Sequence, residues 1–437
     1  MSAKVKIAVV TEEKDTPCWP CINYDFDKEL KRVLEPIYEM NQDIEFTVSK
    51  YTDRSQAESD YDYDLKTYDG VLVLLMTCWK QIDWFYARQA KNGIPTIIAD
   101  VPFCGSGSIL ANSAGVIKSE NLPVALISSL DFTDIAKAMR IFAVIHKMKN
   151  TNILVISNTP DIEAEKAVEE VWGCRFTNIL VSEFNKYFEK TDRAKAERKA
   201  QKWIDEAAEI MEPSFEELVE SARIYYALSE IKKDVKADAV TVDCLNLSYD
   251  GCYSGKSHMY PCLSHFEMLN NGEIDVCEAD INATLSAVVT KYLTGRPGYV
   301  SDPVIDTSSD QIIYSHCVAC TNVYGCKNAT RSKYYLRSHA EDKLGASVQV
   351  IFPTGDKLTT TLFDYPNNRV CIHSAKAVGN MSGDEGCRSK LVATTEAEKL
   401  LYGWMPRWHR VTVFGDYRKL FMQLFKVKGI EVIEEDK

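Results

Sequence analysis

The chain has 437 residues, 46% of them hydrophobic and 26% charged, which is enough to bury two or three separate cores without staples. Its 51 basic and 63 acidic side chains give a formal net charge of −12, which argues against a broad nucleic-acid or anionic-membrane interface. There is no 18-residue apolar run, and the start MSAKVKIAVVTEEKD passes straight into a strand-like run, so no signal peptide, transit peptide or transmembrane helix is expected, and a cytoplasmic location is.

The first 150 residues alternate strand and helix patterns. KVKIAVVT reads as a strand, FDKELKRVLEPIYEMN as an amphipathic helix and IEFTVSKY as a strand. DGVLVLLMT is a continuous apolar run, the mark of a strand buried on both faces. A helix near WFYARQAKN, a strand at PTIIADV, short helical pieces, a strand at PVALISS and a helix at FTDIAKAMRIFAVIHKMK follow. FCGSGSILAN carries a Gly-Ser-Gly without G-x-G-x-x-G or a Walker lysine, and reads as a loop with no nucleotide site. The pattern restarts at NILVISN, with a helix over 161–170 and a strand at TNILVSEF. Two long charged helices come next, the second opened by a Ser214–Glu217 capping box, before the strand DAVTVDCL. Their charges read as solvated faces. After residue 330, β-branched runs broken by TGDK and YPNN predict an antiparallel sheet or small barrel. The expected architecture is α/β: parallel-sheet domains over 1–150 and 151–330, then a β-rich domain over 331–437.

Fourteen cysteines in a large chain of this type are mostly reduced and buried. Cys18/Cys21 forms a CWPC pair of redox spacing. Cys317/Cys320, with His316 and Cys326 nearby, has half of a zinc pattern and lacks the matched second half, which favours ordinary thiols.

The segment CEADINATLSAVVTKYLTGRPGYVSDPVID places Glu278 after a strand end and Asp302 before a proline, 24 residues further on. That spacing suits a strand–helix–strand crossover, which would bring both acids to the carboxyl edge of one parallel sheet, where ligand sites form. Paired carboxylates suit a hard divalent metal and acid–base work on a bound substrate, whereas the plainer reading has Glu278 capping its helix and Asp302 starting a turn.

The stretch MYPCLSHFEMLNNGEIDVCEADINATLSAVVTKYLTGRPGYVSDPVIDTSSDQIIYSHC resembles the core motif of the L-fucose/L-arabinose isomerase superfamily, closer to the fucose isomerase branch. The shared pattern is a Pro-Cys, a glycine-led turn, C-E-x-D, a helix, a second acid and a terminal His-Cys. GDEGCRSKLVATTE and WMPRWHRVTVFGDYRKLFMQLFKVKGIEVIEE resemble the family's closing region. The likeness is strong over about 240–320, moderate over the tail and topological over 1–230. It implies two Rossmann-like domains followed by a β-rich domain, and a metal-dependent aldose–ketose isomerase of carbohydrate metabolism. It also implies manganese, or another divalent cation such as Co2+ or Mg2+, held by Glu278, Asp302 and His409. Glu278 and Asp302 would be the catalytic proton carriers, and His316 is a further ligand candidate. A homo-oligomer, trimer or hexamer, is implied as well. The chain is considerably shorter than a typical fucose isomerase, so its substrate is the least transferable of these expectations.

Of the other histidines, His373 reads as structural, His258 and His265 as loop residues before the core motif, either of them a candidate for substrate contact, and His146 and His339 as surface residues. Sugar sites stack a ring face on an aromatic and clamp hydroxyls, which nominates Trp19 and Trp79 after buried strands and Lys80, Gln81 and Lys256 as substrate-binding residues. Each tryptophan reads equally well as packing under a loop. The expected reaction is isomerisation of an open-chain pentose, 6-deoxyhexose or 6-substituted hexose, such as a sulfonated one, through a cis-enediol. Epimerisation or retro-aldol cleavage through the same enediolate is the alternative chemistry, and a catalytically silent sugar-binding protein is the alternative class.

Overall fold

The computed structural model describes residues 2–251, 253–256 and 258–437. The chain divides into two compact units, Met1–Lys147 with Lys419–Glu431, and Met148–Arg418 with Val432–Lys437.

In the first unit, β1 (Ala3–Val10), β2 (Ile44–Tyr51), β3 (Gly70–Leu75), β4 (Thr96–Asp100) and β5 (Val124–Ser128) form one parallel sheet in the order β2-β1-β3-β4-β5. This is a doubly wound order whose switch point lies between β1 and β3. The apolar run of β3 is buried at every position, as a strand covered on both faces requires. Helix Phe26–Met40 starts where Asp25 accepts from the Lys28 N–H.

Two features depart from the sequence pattern. Arg54–Thr67 is a helix with an Asp53–Gln56 capping box, and its buried face is only Ala57, Tyr61 and Asp64, too polar to show as an apolar stripe. Lys6 Nζ, 2.7 Å from Asp64 Oδ1, and the Tyr86 hydroxyl, 2.8 Å from Oδ2, supply what apolar burial does not. The short helical pieces expected between β4 and β5 are Ser106–Ser108, Ile109–Ser113 and Ala114–Ser119, and they begin inside the FCGSGSILAN stretch that reads as a loop. Its glycines allow close approach, since a Cβ on Gly105 would lie 2.4 Å from the Leu75 carbonyl.

The second unit begins with β6 (Asn152–Ile156), β7 (Arg175–Ile179), the two-residue β8 (Glu209–Ile210), β9 (Ala239–Val242) and β10 (Ile274–Cys277). All but β8 form a parallel sheet in the order β7-β6-β9-β10. TNILVSEF is not one strand: it stops at Ile179, and Val181–Glu189 is helix, its apolar residues at helical spacing. The Ser214–Glu217 capping box opens helix Phe215–Asp234, matching the sequence.

The β-rich part follows with β11 (Tyr299–Asp306), β12 (Gln311–His316), β13 (Tyr334–Arg337), β14 (Ser347–Val350), β15 (Lys357–Asp364), β16 (Arg369–Asn380), β17 (Ser389–Thr394), β18 (Arg410–Phe414) and β19 (Glu431–Glu434). β15-β18-β11-β12-β17-β16 are joined by antiparallel pairings, and β15 also pairs with β16, so six strands close into a barrel with β19 as a seventh strand of its sheet. β13 and β14 pair with β8 in a small separate sheet. Two barrel strands, β11 and β12, thus lie upstream of residue 331.

This corrects the expected crossover. β10 ends the parallel sheet, helix Ile281–Thr294 follows, and β11 enters the barrel rather than returning beside β10. Glu278 and Asp302 therefore meet where parallel sheet and barrel adjoin, not at neighbouring ends of one sheet. Among the described residues no helix is long and apolar enough to cross a membrane.

Candidate metal centre

The chain leaves β10 through two successive left-handed residues, Glu278 (φ 66°) and Ala279 (φ 49°). Neither is glycine, and such strain persists only where surroundings enforce it. Here the Ala279 N–H donates to the Val242 carbonyl at 3.0 Å, tying the turn to the end of β9. Asp280 then caps helix Ile281–Thr294, accepting from the Ala283 N–H at 2.9 Å. Asp302 lies inside β11, not at a strand end. The β11–β18 register sets Ser301 opposite Arg410, which brings Asp302 beside His409. His316 ends β12.

These elements bring Glu278, Asp302, His316 and His409 together, with one ligand-type atom from each within 4.8 Å of the others. His409 Nε2 is 3.4 Å from Glu278 Oε2 and 3.4 Å from Asp302 Oδ1, and His316 Nε2 is 3.5 Å from Glu278 Oε1 and 3.8 Å from Asp302 Oδ2.

The two imidazoles are held differently. His409 Nδ1 donates to Asp280 Oδ2 at 2.8 Å, which leaves Nε2 as a lone pair aimed at the carboxylates. That Nε2 is buried without a hydrogen-bond partner. A carboxylate behind a histidine, fixing its tautomer, is the usual support of a metal-binding imidazole. In its neutral form His316 accepts the Val318 N–H at Nδ1 (3.2 Å), with Nε2 turned toward Glu278. Both imidazoles belong to the group that could hold an ion: His409 is backed by Asp280, and His316 is held through Nδ1 by the Val318 N–H.

Charge follows the geometry. Burial raises the Glu278 carboxyl, but His316 and His409 outweigh it and hold it below its ordinary value. For Asp302 burial dominates and the carboxyl is pushed up. Burial opposes protonation of both imidazoles, yet Glu278 and Asp302 raise His316 to about 9, and Asp280 foremost raises His409. Two desolvated carboxylates thus draw positive charge into the site, as protons or as a cation.

A cavity of about 270 Å³ opens beside the cluster. Cys244, Cys262, Cys277, Cys317 and Cys387 line it, with Trp408 and Val304 also in its wall. The sequence reading missed this grouping because no spacing marks it: the five thiols come from five separate segments. Cys317 and Cys320 pack in the same apolar cluster as Cys244, Cys262 and Cys277. Cys18 Sγ lies 3.1 Å from the Cys21 carbonyl, and both are free thiols. Asp280 was also missed as a functional residue, although it is the second acid of C-E-x-D.

In the first unit Trp19 and Trp79 are exposed on loops after β1 and β3, joined where the Thr77 hydroxyl donates to the Trp19 carbonyl at 3.1 Å. Lys80 Nζ sits 2.6 Å from Glu12, and Gln81 is a left-handed residue before helix Ile82–Gln89. In the second unit Lys256 Nζ is 2.9 Å from Glu220 and does not line the 270 Å³ cavity. His265 is on helix Cys262–Asn270, not a loop, and is fully buried against Asp275 at 2.8 Å. His258 pairs with Asp342 at 2.7 Å. His339 is buried, stacked on Tyr260 at 3.8 Å, and so is not a surface residue, whereas His146 is partly exposed beside Asp69 at 2.8 Å. His373 lies in the buried barrel network with Glu435.

Asp280→Asn keeps a helix-capping oxygen but loses the charge behind His409. The expected result is about 10- to 100-fold weaker Mn2+ binding by titration calorimetry with helix content unchanged by circular dichroism. Unchanged affinity would mean that Asp280 is a cap and nothing more.

No known family model matches the chain, and no curated protein matches it in sequence. Among solved structures it is similar to a putative two-component system response regulator/GGDEF domain protein at 11% identity, with a TM-score of 0.29 over 66% of this chain and 98% of that one, a likeness too low to carry an argument about fold or function.

Proposed function

We propose that the protein is a metal-dependent aldose–ketose isomerase of the fucose isomerase-like kind, acting on an open-chain pentose, 6-deoxyhexose or 6-substituted hexose. One observation carries this reading: Glu278, Asp302 and His409 converge, and the buried His409 Nε2 lies 3.4 Å from each carboxylate without a hydrogen-bond partner. Two carboxylates and one imidazole fit a hard divalent ion, manganese before zinc, with Co2+ or Mg2+ as substitutes. An ion held there would supply Lewis acidity that polarises the sugar carbonyl and makes the neighbouring C–H more acidic.

The residues do the remaining work. Asp302, raised by burial, is the better proton carrier and moves the proton from C2 to C1 through the cis-enediol. Glu278, held ionised, serves as ligand and acceptor for a hydroxyl. His316 Nε2–H donates to a substrate oxygen and keeps Glu278 oriented. A homo-oligomer, trimer or hexamer, and a cytoplasmic location belong to the same proposal.

The test is metal content by mass spectrometry together with an isomerase assay on a panel of aldoses. A protein that binds no divalent ion, or binds one and turns over none of the sugars, would sink the proposal. A carboxylate carrier also exchanges its proton with solvent. Reaction in D2O should place deuterium at C1 of the ketose by NMR, and a product free of deuterium would point to hydride transfer instead.

A further inference from the structure

Trp408 precedes His409 and is 70% exposed, yet it lines the cavity beside Glu278 and Asp302. An exposed indole usually sits on a loose loop; this one does not. Arg410, fully buried and stacked 3.6 Å over the Trp404 ring, donates to the carbonyls of Met405 (3.0 Å), Arg407 (2.8 Å) and His409 (2.7 Å). The Trp404 indole donates to the Arg407 carbonyl at 3.0 Å, and Arg407 Nε to Asp364 at 2.8 Å. The turn is clamped on both sides of Trp408, and the indole is what it holds out. Val304, 57% exposed, stands two residues along β11 from Asp302 and therefore on the same face of the strand. Trp408, on an anchored backbone, and Val304 thus put apolar surface into the wall beside the acid cluster.

An open-chain sugar presents hydroxyl oxygens along its edges and C–H bonds between them. The carboxylates and imidazoles satisfy oxygens only. A rigid indole face beside them fits the C–H surface at little ordering cost. We propose that Trp408, with Val304 beside it, is the platform on which the C–H face of the substrate lies, so that it sets substrate affinity and not metal affinity. This assignment rests on the isomerase reading of the same site.

The experiment is binding of ribitol, xylitol and galactitol, non-reacting open-chain polyols, to the Mn2+-loaded protein by titration calorimetry and tryptophan fluorescence. Wild type, Trp408→Ala, Trp408→Phe and Glu278→Gln are compared. The expected result is polyol binding to wild type with a fluorescence change, about tenfold weaker binding in Trp408→Ala, equivalent to about 1.4 kcal/mol, and binding within about threefold of wild type in Trp408→Phe, which keeps a ring face. Mn2+ affinity should be the same in all three Trp408 proteins. Polyol binding undiminished in Trp408→Ala, while lost in Glu278→Gln, would overturn the platform and leave the isomerase reading standing. Loss of Mn2+ affinity in Trp408→Ala would make the indole a support of His409 and overturn the platform too. Failure of the loaded wild type to bind any polyol would overturn both.

Discussion

Glu278→Gln and Asp302→Asn, made singly, should each lower isomerase turnover by a factor of about 10³ or more. Loss of a positioned proton carrier alone costs about 10²- to 10⁴-fold, and here a metal-facing charge goes with it. The amides are isosteric, so the left-handed turn at Glu278 and the β11 pairing are expected to survive, and far-ultraviolet circular dichroism should not change. The two variants should differ in the metal titration. Glu278 is the carboxylate held ionised, so Glu278→Gln should weaken Mn2+ binding more than Asp302→Asn, whose carboxyl burial already pushes toward the neutral form. Turnover and Mn2+ affinity at wild-type levels in either variant would remove that residue from the site.

The largest expected effect on stability lies inside the barrel. Glu435 is fully buried, 2.8 Å from His373 Nδ1 and 2.5 Å from Arg410 Nη2. His373 Nε2 meets the Tyr314 hydroxyl at 2.8 Å, and the Thr360 hydroxyl donates to that same oxygen at 3.1 Å. Removing one partner of such a pair strands a buried charge at about 3–5 kcal/mol. Glu435→Gln should therefore lower the urea midpoint of the second unit sharply, and an unchanged midpoint would refute the account. The pH dependence has a definite sign. Burial raises the Glu435 carboxyl, but His373 and Arg410 outweigh it and bring it from 4.5 to about 2. A depressed carboxyl contributes stability that is fully present above about 4.5 and lost as pH falls toward 2. The shift corresponds to about 3 kcal/mol. Wild type should lose that much across this window and Glu435→Gln should not. Because Arg410 also clamps the turn that carries Trp408 and His409, Glu435→Gln should weaken Mn2+ binding as well.

Much of this arrangement was legible in local pattern. The buried run of β3, the Ser214–Glu217 cap and the C-E-x-D turn depend on residues a few positions apart, so short-range rules find them. The partnership of β11 with β18 was not legible. The two strands are more than a hundred residues apart in sequence, and nothing in YVSDPVID distinguishes a parallel return from an antiparallel entry into a barrel. The acids and His409 were named from the motif, yet the reason they meet is that long-range register. Helix Arg54–Thr67 escaped notice because its buried anchor is the Lys6–Asp64 ion pair. The thiol-lined cavity escaped because its walls come from distant segments, and Trp408 because exposure cannot be read from sequence.

Lys419–Glu431, which includes helix Arg418–Val427 beyond its first residue, counts with the first unit, although most of the second is made before it. The helix buries Phe421, Leu424 and Phe425, and Lys419 Nζ reaches Asp134 at 2.7 Å. On the ribosome this gives the first sheet a long wait. Between Lys147 and Lys419 lies roughly 270 residues of elongation, on the order of tens of seconds at about 5–20 residues per second. Throughout that interval the nascent first unit lacks its last segment and the Lys419–Asp134 ion pair. The first unit is therefore incomplete until Lys419–Glu431 emerges, which makes its completion one of the last events of synthesis.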